Sequence, residues 1–328
     1  MNSRKLGNNG FNVSEVGLGC WQLGADWGQD ISKEIAFSIL NEAVKNGITF
    51  FDTADVYGDG KSETLIGEFL KTCDTPIRVA TKFGRTGDAY PDKYSKAVLR
   101  NAVEGSLKRL GVDALDLLQL HCIPTQYLID GDIFNWLREL QQEGLIKHFG
   151  ASVETVEEGL ICIEQEGLLS LQVIFNVFRQ KLVTELFPKA KEKGVGIIVR
   201  LPLASGLLSG KFSADTTFPE NDHRNYNRNG DAFNVGETFA GLPFEKGLEF
   251  VETIKKDILP SNLSMVQLAL RWLLDHDAVS VIIPGASSTN QVISNAEVSN
   301  IDAMSSETHE ALIQLYKSAI HNEIRGAY

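Results

Sequence analysis

Asp52, Lys82 and His121 each close a short apolar run: Thr49-Phe50-Phe51-Asp52, Val79-Ala80-Thr81-Lys82 and Leu118-Gln119-Leu120-His121. Tyr57 follows Asp52 by five positions, in Asp52-Thr53-Ala54-Asp55-Val56-Tyr57-Gly58, so it can lean back over the same place. Brought together, these four residue types do acid–base chemistry. A tyrosine with an ordinary pKa of about 10 is a poor proton donor at neutral pH unless its phenolate is stabilised. A lysine cation beside it lowers that value, and a carboxylate beside the lysine keeps it charged and oriented. A histidine in the same mouth donates a hydrogen bond to a carbonyl oxygen, so the group would protonate oxygen as electrons arrive at carbon. That is the proton half of carbonyl reduction. Taken singly, each residue has a plainer reading: a solvated strand-end charge, a satisfied rim histidine, a packed tyrosine. Their joint placement at successive strand ends favours chemistry.

These runs belong to a longer series. Apolar or β-branched stretches fall at Val16–Cys20, Ile48–Asp52, Arg78–Lys82, Leu115–His121, Ile146–Ser152, Leu171–Asn176, Val195–Arg200 and Val279–Pro284. Between most of them lie amphipathic stretches; in the first, Ile35, Ile39, Leu40, Ala43 and Val44 share one helical face. Gly47, Gly111, Gly144 and Gly194 stand just before the next strand and read as helix stops. Eight strands separated by helices predict a parallel sheet covered on both faces, closed into a (β/α)8 TIM barrel. An open doubly wound sheet competes, but Gly17-Leu18-Gly19-Cys20-Trp21 lacks the third glycine of its fingerprint. Two segments depart from the repeat. Residues 3–15 carry Asn8-Asn9-Gly10 and predict an N-terminal β-hairpin that caps the barrel bottom. Residues 212–244 have no clean period and predict a long lid loop after the seventh strand. With no linker or low-complexity tract, one α/β domain over residues 1–328 is expected.

Composition narrows the class. Of the 328 residues, 43% are hydrophobic and 23% charged, which excludes a disordered chain or a disulfide scaffold. A formal net charge of −12 leaves no basic footprint for nucleic acid. Cys20, Cys73, Cys122 and Cys162 are widely spaced, which argues against zinc or a disulfide framework and fits a reducing compartment. No metal is expected. Met-Asn-Ser-Arg-Lys-Leu-Gly has no apolar signal core, and no run approaches the roughly 20 residues of a membrane span. A cytoplasmic protein without membrane contact is the expectation.

Gly17–Trp21, Phe50–Gly58, Ala80–Lys82, Leu117–His121 and Pro202-Leu203-Ala204-Ser205-Gly206-Leu207-Leu208-Ser209-Gly210-Lys211 together resemble the aldo-keto reductases, in the expected order. The likeness runs from about residue 3 to residue 300, and is greatest to the branch similar to the potassium-channel β-subunits. It implies a (β/α)8 barrel, an extended nicotinamide cofactor and an Asp–Tyr–Lys–His tetrad. By position the tetrad is Asp52, Tyr57, Lys82 and His121. Tyr57 would be the general acid in reduction and the base in oxidation, Lys82 with Asp52 would tune it, and His121 would orient the carbonyl. The channel β-subunits have asparagine at the histidine position, so His121 favours the ordinary reductase pattern.

The same resemblance assigns cofactor contacts. Ser152 in Gly150-Ala151-Ser152-Val153 and Gln172, four residues before Asn176, would hold the carboxamide, although Val153 replaces a frequent asparagine. Arg200 stands where many members stack an aromatic on the nicotinamide. It could stack, bind an anionic substrate group, or form a salt bridge within the barrel. Trp21, Asp52, Leu203 and Ser205 would also contact the cofactor; the Gly206–Lys211 turn, with Leu207, Ser209 and Lys211, would cross the pyrophosphate. Gly285, Ser287, Gln291 and Asn295 would form the adenosine site, with Ser294 in place of a frequent glutamate. No Arg or Lys lies between 279 and 295, where some members clamp the 2′-phosphate. Arg224 in the lid would take that role, which favours NADP(H), with NAD(H) the alternative.

The expected activity is therefore NADP(H)-dependent reduction of aldehydes or ketones to alcohols. The partner is a small-molecule carbonyl or alcohol substrate in a pocket of Trp21, Trp27, Tyr57 and His121. Two alternatives stand beside it: an NAD(P)-dependent sugar or polyol dehydrogenase, and a slow redox-sensing, cofactor-binding regulatory protein. Neither the physiological substrate nor the oligomeric state is legible, and the tail after Glu297 carries no pattern that places it.

Overall fold

The structure, a computed structural model, describes residues 1–24 and 31–328. Trp27 lies outside the described residues. Among the described residues ten strands follow in order: β1 Ser3–Lys5, β2 Asn12–Ser14, β3 Leu18–Gly19, β4 Phe50–Asp52, β5 Arg78–Phe83, β6 Leu117–His121, β7 Phe149–Ser152, β8 Leu168–Ile174, β9 Gly196–Arg200 and β10 Val279–Ile282. β3 to β10 pair parallel with their sequence neighbours. Parallel bridges Val16↔Ile282 and Gly19↔Gly285 join the first barrel strand to the last. The sheet thus closes as the (β/α)8 barrel that the alternation predicts, which leaves no sheet edge open.

Alternation along each strand sorts residues into two environments. Phe51, Val79, Leu118, Leu120, Ile197 and Val199 pack under the helices. Phe50, Ala80, Leu117, Ile198 and Val281 point inward and form a separate apolar layer. Leu6 and Val13 of the β1–β2 hairpin complete that layer from below, so the predicted cap is also a plug. Arg4 fastens the hairpin: it pairs with Glu15 at 2.8 Å and donates to the carbonyls of Val279 (2.8 Å) and Leu274 (2.6 Å). Two residues above the apolar layer, the same inward rows carry Asp52, Lys82, Gln119 and Arg200. The active-site floor is this second layer.

The helix Lys33–Lys45 begins at Ser32, whose Oγ accepts from Ile35 N. Its buried stripe is Ala36, Ile39, Leu40 and Ala43. Ile35 is 47% exposed, against expectation. Ile35 and Val44 each lie about a quarter-turn from the centre of that stripe, on opposite flanks. The four expected stop glycines all adopt left-handed backbone, with φ of 69° to 81°. Residues 212–244 form a largely irregular lid with three short turns of helix, His223–Tyr226, Val235–Glu237 and Phe239–Gly241. Among the described residues, no helix is long and apolar enough to cross a membrane.

Candidate active site

The register that closes the barrel sets the four expected catalytic residues side by side. Asp52 pairs with Ala80, Lys82 with Gln119, and His121 with Ser152. Lys82 Nζ donates to Asp52 Oδ1 at 2.5 Å, to the Thr53 carbonyl at 2.8 Å and to Tyr57 Oη at 3.1 Å. All three ammonium protons are used, and the group is buried. Burial alone would discharge this lysine, but the Asp52 carboxylate and the Tyr57 hydroxyl outweigh it and hold its titration above the ordinary lysine value. For Tyr57 the balance differs from the expectation of a lowered value. Burial raises its titration and prevails over the opposing Lys82 cation, so the net direction is upward. The phenol therefore keeps its proton at neutral pH.

Asp52 is held from behind. Its Oδ2 accepts from Gln172 Nε2 at 2.7 Å and from Gln119 Nε2 at 3.0 Å. The Gln172 amide nitrogen, expected on a cofactor carboxamide, is thus already engaged, although Gln172 does face the cavity. His121 meets the Tyr57 ring edge-on with centroids 5.9 Å apart. Burial, with the Arg85, Lys82 and Arg200 cations around it, keeps this imidazole well below its usual range. It is neutral, and its buried Nδ1 has no partner among the described residues. On the other side, Trp21 stacks on Tyr57 at 6.0 Å and touches lid residue His223 at 5.0 Å.

These groups stand at the foot of a cavity of about 1180 Å³. That exceeds the usual range of about 300–1,000 Å³ for small-ligand pockets and suits a dinucleotide plus substrate. Of the expected contacts, Trp21, Asp52, Gln172, Arg200, Leu203, Ser205, Ser209, Lys211, Arg224, Gly285, Ser287 and Gln291 line it. Ser152, Leu207 and Asn295 do not. Ser152 is buried behind Cys122, with Oγ 3.6 Å from Sγ. Leu207 belongs to the core, and Asn295 donates to the Gly285 carbonyl from behind. Ser205 faces the cavity but spends its hydroxyl on the lid, donating to the Glu237 carbonyl at 3.0 Å. Arg224 is gripped by Asp222, Nε to Oδ1 at 2.9 Å and Nη2 to Oδ2 at 2.5 Å, and lies over the Phe218 ring. The donor set fits a dinucleotide: Lys211 and Arg224 offer cations to phosphate, and the capped start of helix Thr289–Glu297 adds Ser287 and Gln291.

Arg200 forms the salt bridge within the barrel while still lining the cavity. Its Nη1 lies 3.4 Å from Glu237 Oε1, and Nη2 approaches Cys122 Sγ at 3.4 Å. Arg85 reaches Glu237 at 3.0 Å and Glu154 at 2.7 Å, and Asn234 of the lid donates to Glu154 at 2.9 Å. Burial would neutralise Glu237, but the two guanidinium groups prevail and hold it ionised. Burial and Glu237 push Glu154 the other way. Cys122, Glu154 and Glu237 lie close enough to hold a cation, yet Arg85 and Arg200 already meet their charge. Sequence reasoning gave no role to Arg85, Glu154, Glu237 or Gln119. Gln119 had a signal: it lies two residues before His121 on the same strand face.

The family model for the aldo/keto reductase family matches residues 15–317. An uncharacterized oxidoreductase of Bacillus subtilis, YqkF, is 32% identical over 99% of this chain and 100% of its own length. Probable aldo-keto reductase 1 of Glycine max is 30% identical over 89% of this chain and 82% of its own. Among solved structures, the holo form of aldo-keto reductase AKR11C1 from Bacillus halodurans superposes with a TM-score of 0.77 at 29% identity, covering 99% of this chain and 100% of that one. Glycerol dehydrogenase AKR11B4 from Gluconobacter oxydans superposes at 0.80 with 27% identity, covering 99% and 98%. With a barrel, a lysine-centred floor and matches along nearly its whole length, this chain belongs to the aldo/keto reductase family.

Proposed function

We propose that the chain works as one domain and is an NADP(H)-dependent oxidoreductase that reduces aldehydes or ketones to alcohols. The observation that carries this reading is the reach of one ammonium group: Lys82 Nζ bonds both the Asp52 carboxylate and the Tyr57 hydroxyl at the foot of the cavity. When bound, a nicotinamide cofactor supplies the hydride. Gln172 and Arg200 would hold its ring end, Leu203, Ser205, Ser209 and Lys211 its pyrophosphate, and Gly285, Ser287 and Gln291 its adenosine. Arg224 would meet the 2′-phosphate, with Asp222 fixing the guanidinium plane. Neutral His121 donates a hydrogen bond to the substrate oxygen, and Tyr57 passes its proton there as negative charge develops. Lys82 then stabilises the phenolate. Tyr57 keeps its proton near neutrality, which is the form that general-acid transfer to the substrate oxygen requires. Tyr57→Phe should lower kcat about 10²–10⁴-fold while NADPH still binds. Retained turnover at saturating cofactor would remove Tyr57 from the mechanism.

A second reading, polyol or sugar oxidation, draws support from Arg85, Glu154, Glu237 and Arg200. They offer donors and acceptors suited to hydroxyl groups, and the Gluconobacter oxydans neighbour is a glycerol dehydrogenase. Parallel assays of an aldehyde panel with NADPH and NADH, and of glycerol and sugars with NADP and NAD, separate the two.

A further inference from the structure

The lid turns through Phe239, Ala240 and Gly241, three consecutive residues at positive φ (54°, 59° and 85°). Left-handed backbone is unfavourable for residues that carry a Cβ, and it persists only where surrounding contacts impose it. Two contacts do so here. From the cavity side, Ser205 Oγ accepts from Phe239 N at 3.2 Å and donates to the Glu237 carbonyl. From the outer side, Arg325 crosses the turn. Its backbone N–H and its Nε both donate to the Gly241 carbonyl, at 3.1 and 3.0 Å. Nη2 donates to the carbonyls of Leu242 (3.1 Å) and Arg228 (2.9 Å), and Nη1 to Asn229 Oδ1 at 3.0 Å. The two segments run so close that a Cβ on Gly241 would stand 2.9 Å from the Arg325 carbonyl oxygen.

Glu237 stands two residues before this turn and carries the lid's charge into the cavity, onto Arg85 and Arg200. We propose that Arg325 is a positioning residue of the active site: by holding the 239–241 turn it keeps Glu237 on that arginine pair and the lid shut over bound cofactor. The planar fork suits the task, because it spans acceptors at 228–229 and at 241–242, which a lysine ammonium cannot do at once. The latch stands on the lid geometry alone; its effect on cofactor retention rests on the function proposed above.

The test compares wild type with Arg325→Ala and Arg325→Lys, the second securing the comparison should the first not fold. Amide exchange in cofactor-free protein should quicken about tenfold or more over residues 228–242, with the barrel strands unchanged. NADPH, followed by stopped flow, should leave about tenfold faster, raising the KM for cofactor without lowering kcat, since lid opening often limits turnover. Wild-type lid protection in both variants overturns the proposal. So does protection lost equally across the barrel strands, or a fall in kcat with unchanged NADPH release. Faster lid exchange in a protein that binds neither NADPH nor NADH supports the latch and refutes the cofactor reading instead.

Discussion

Gln172 and Asp52 are joined across the barrel interior, amide nitrogen to Oδ2 at 2.7 Å, on the opposite side of the carboxylate from Lys82. Gln119 shares the same oxygen. Both amides fix the carboxylate that fixes the lysine, but only Gln172 also faces the cavity. Loss of a hydrogen bond to a buried charged group costs about 1–3 kcal/mol. Gln119→Leu is therefore expected to lower kcat about tenfold or more with cofactor affinity unchanged, and Gln172→Leu to weaken both. Wild-type kcat in both variants would show that Asp52 needs no such support.

Lys82→Met removes the cation that opposes burial at Tyr57, so the phenol titration should move higher still. Any residual alcohol oxidation then requires higher pH than in wild type. Asp52 is left as a buried, unpaired carboxylate, a loss of roughly 3–5 kcal/mol in comparable cases, which a thermal melt registers. An active variant with an unchanged pH–rate profile would sink the tuning role.

Asp55 is buried, and among the described residues no side chain donates a hydrogen bond to its carboxylate. Burial first, then the neighbouring Glu63 carboxylate, push its titration up to about 7. An unfolded aspartate titrates near 3.9, so the folded protein holds this proton more tightly. That contribution to stability is complete at pH below the unfolded value and is lost as pH rises through the folded one. Asp55→Asn should accordingly melt above wild type at pH 8, with the gap shrinking by on the order of 2–3 kcal/mol towards pH 5. A gap that does not vary with pH would mean Asp55 does not titrate in this window.

If Arg224 meets the 2′-phosphate, Arg224→Ala should weaken NADPH by roughly 1–3 kcal/mol, the scale of a charged hydrogen bond, and leave NADH nearly unchanged. Equal losses for both would assign the arginine to lid packing, through its ring contacts with Phe218 and Phe212.

The barrel and its floor were legible because both follow from period. Strands of alternating environment place Asp52, Lys82 and His121 on inward rows, and turn glycines mark where each helix stops. Tyr57 could be placed because it follows Asp52 within a short turn. The lid was legible only as an interruption. Glu237 and Asn234 sit in a segment without periodicity, and their partners Arg85 and Glu154 lie just beyond strands whose patterns end before them. Arg325 gave no sign at all, since its partners are mostly backbone carbonyls, which carry no sequence. The direction of the Tyr57 shift was missed for a related reason: it depends on how much protein surrounds the phenol, while only the neighbouring lysine can be read from the chain.

The plug formed by Leu6, Val13 and the inward apolar layer divides the molecule's tolerance for change. Below, every inward position is spoken for by volume, so a substitution there trades in whole methyl groups and is felt by the entire sheet. Above, the polar floor is braced by hydrogen bonds from strands, while its roof comes from loops that the plug never touches. New substrates could therefore be acquired by rewriting the roof, with the proton-transfer group left standing on a foundation that selection has little freedom to alter.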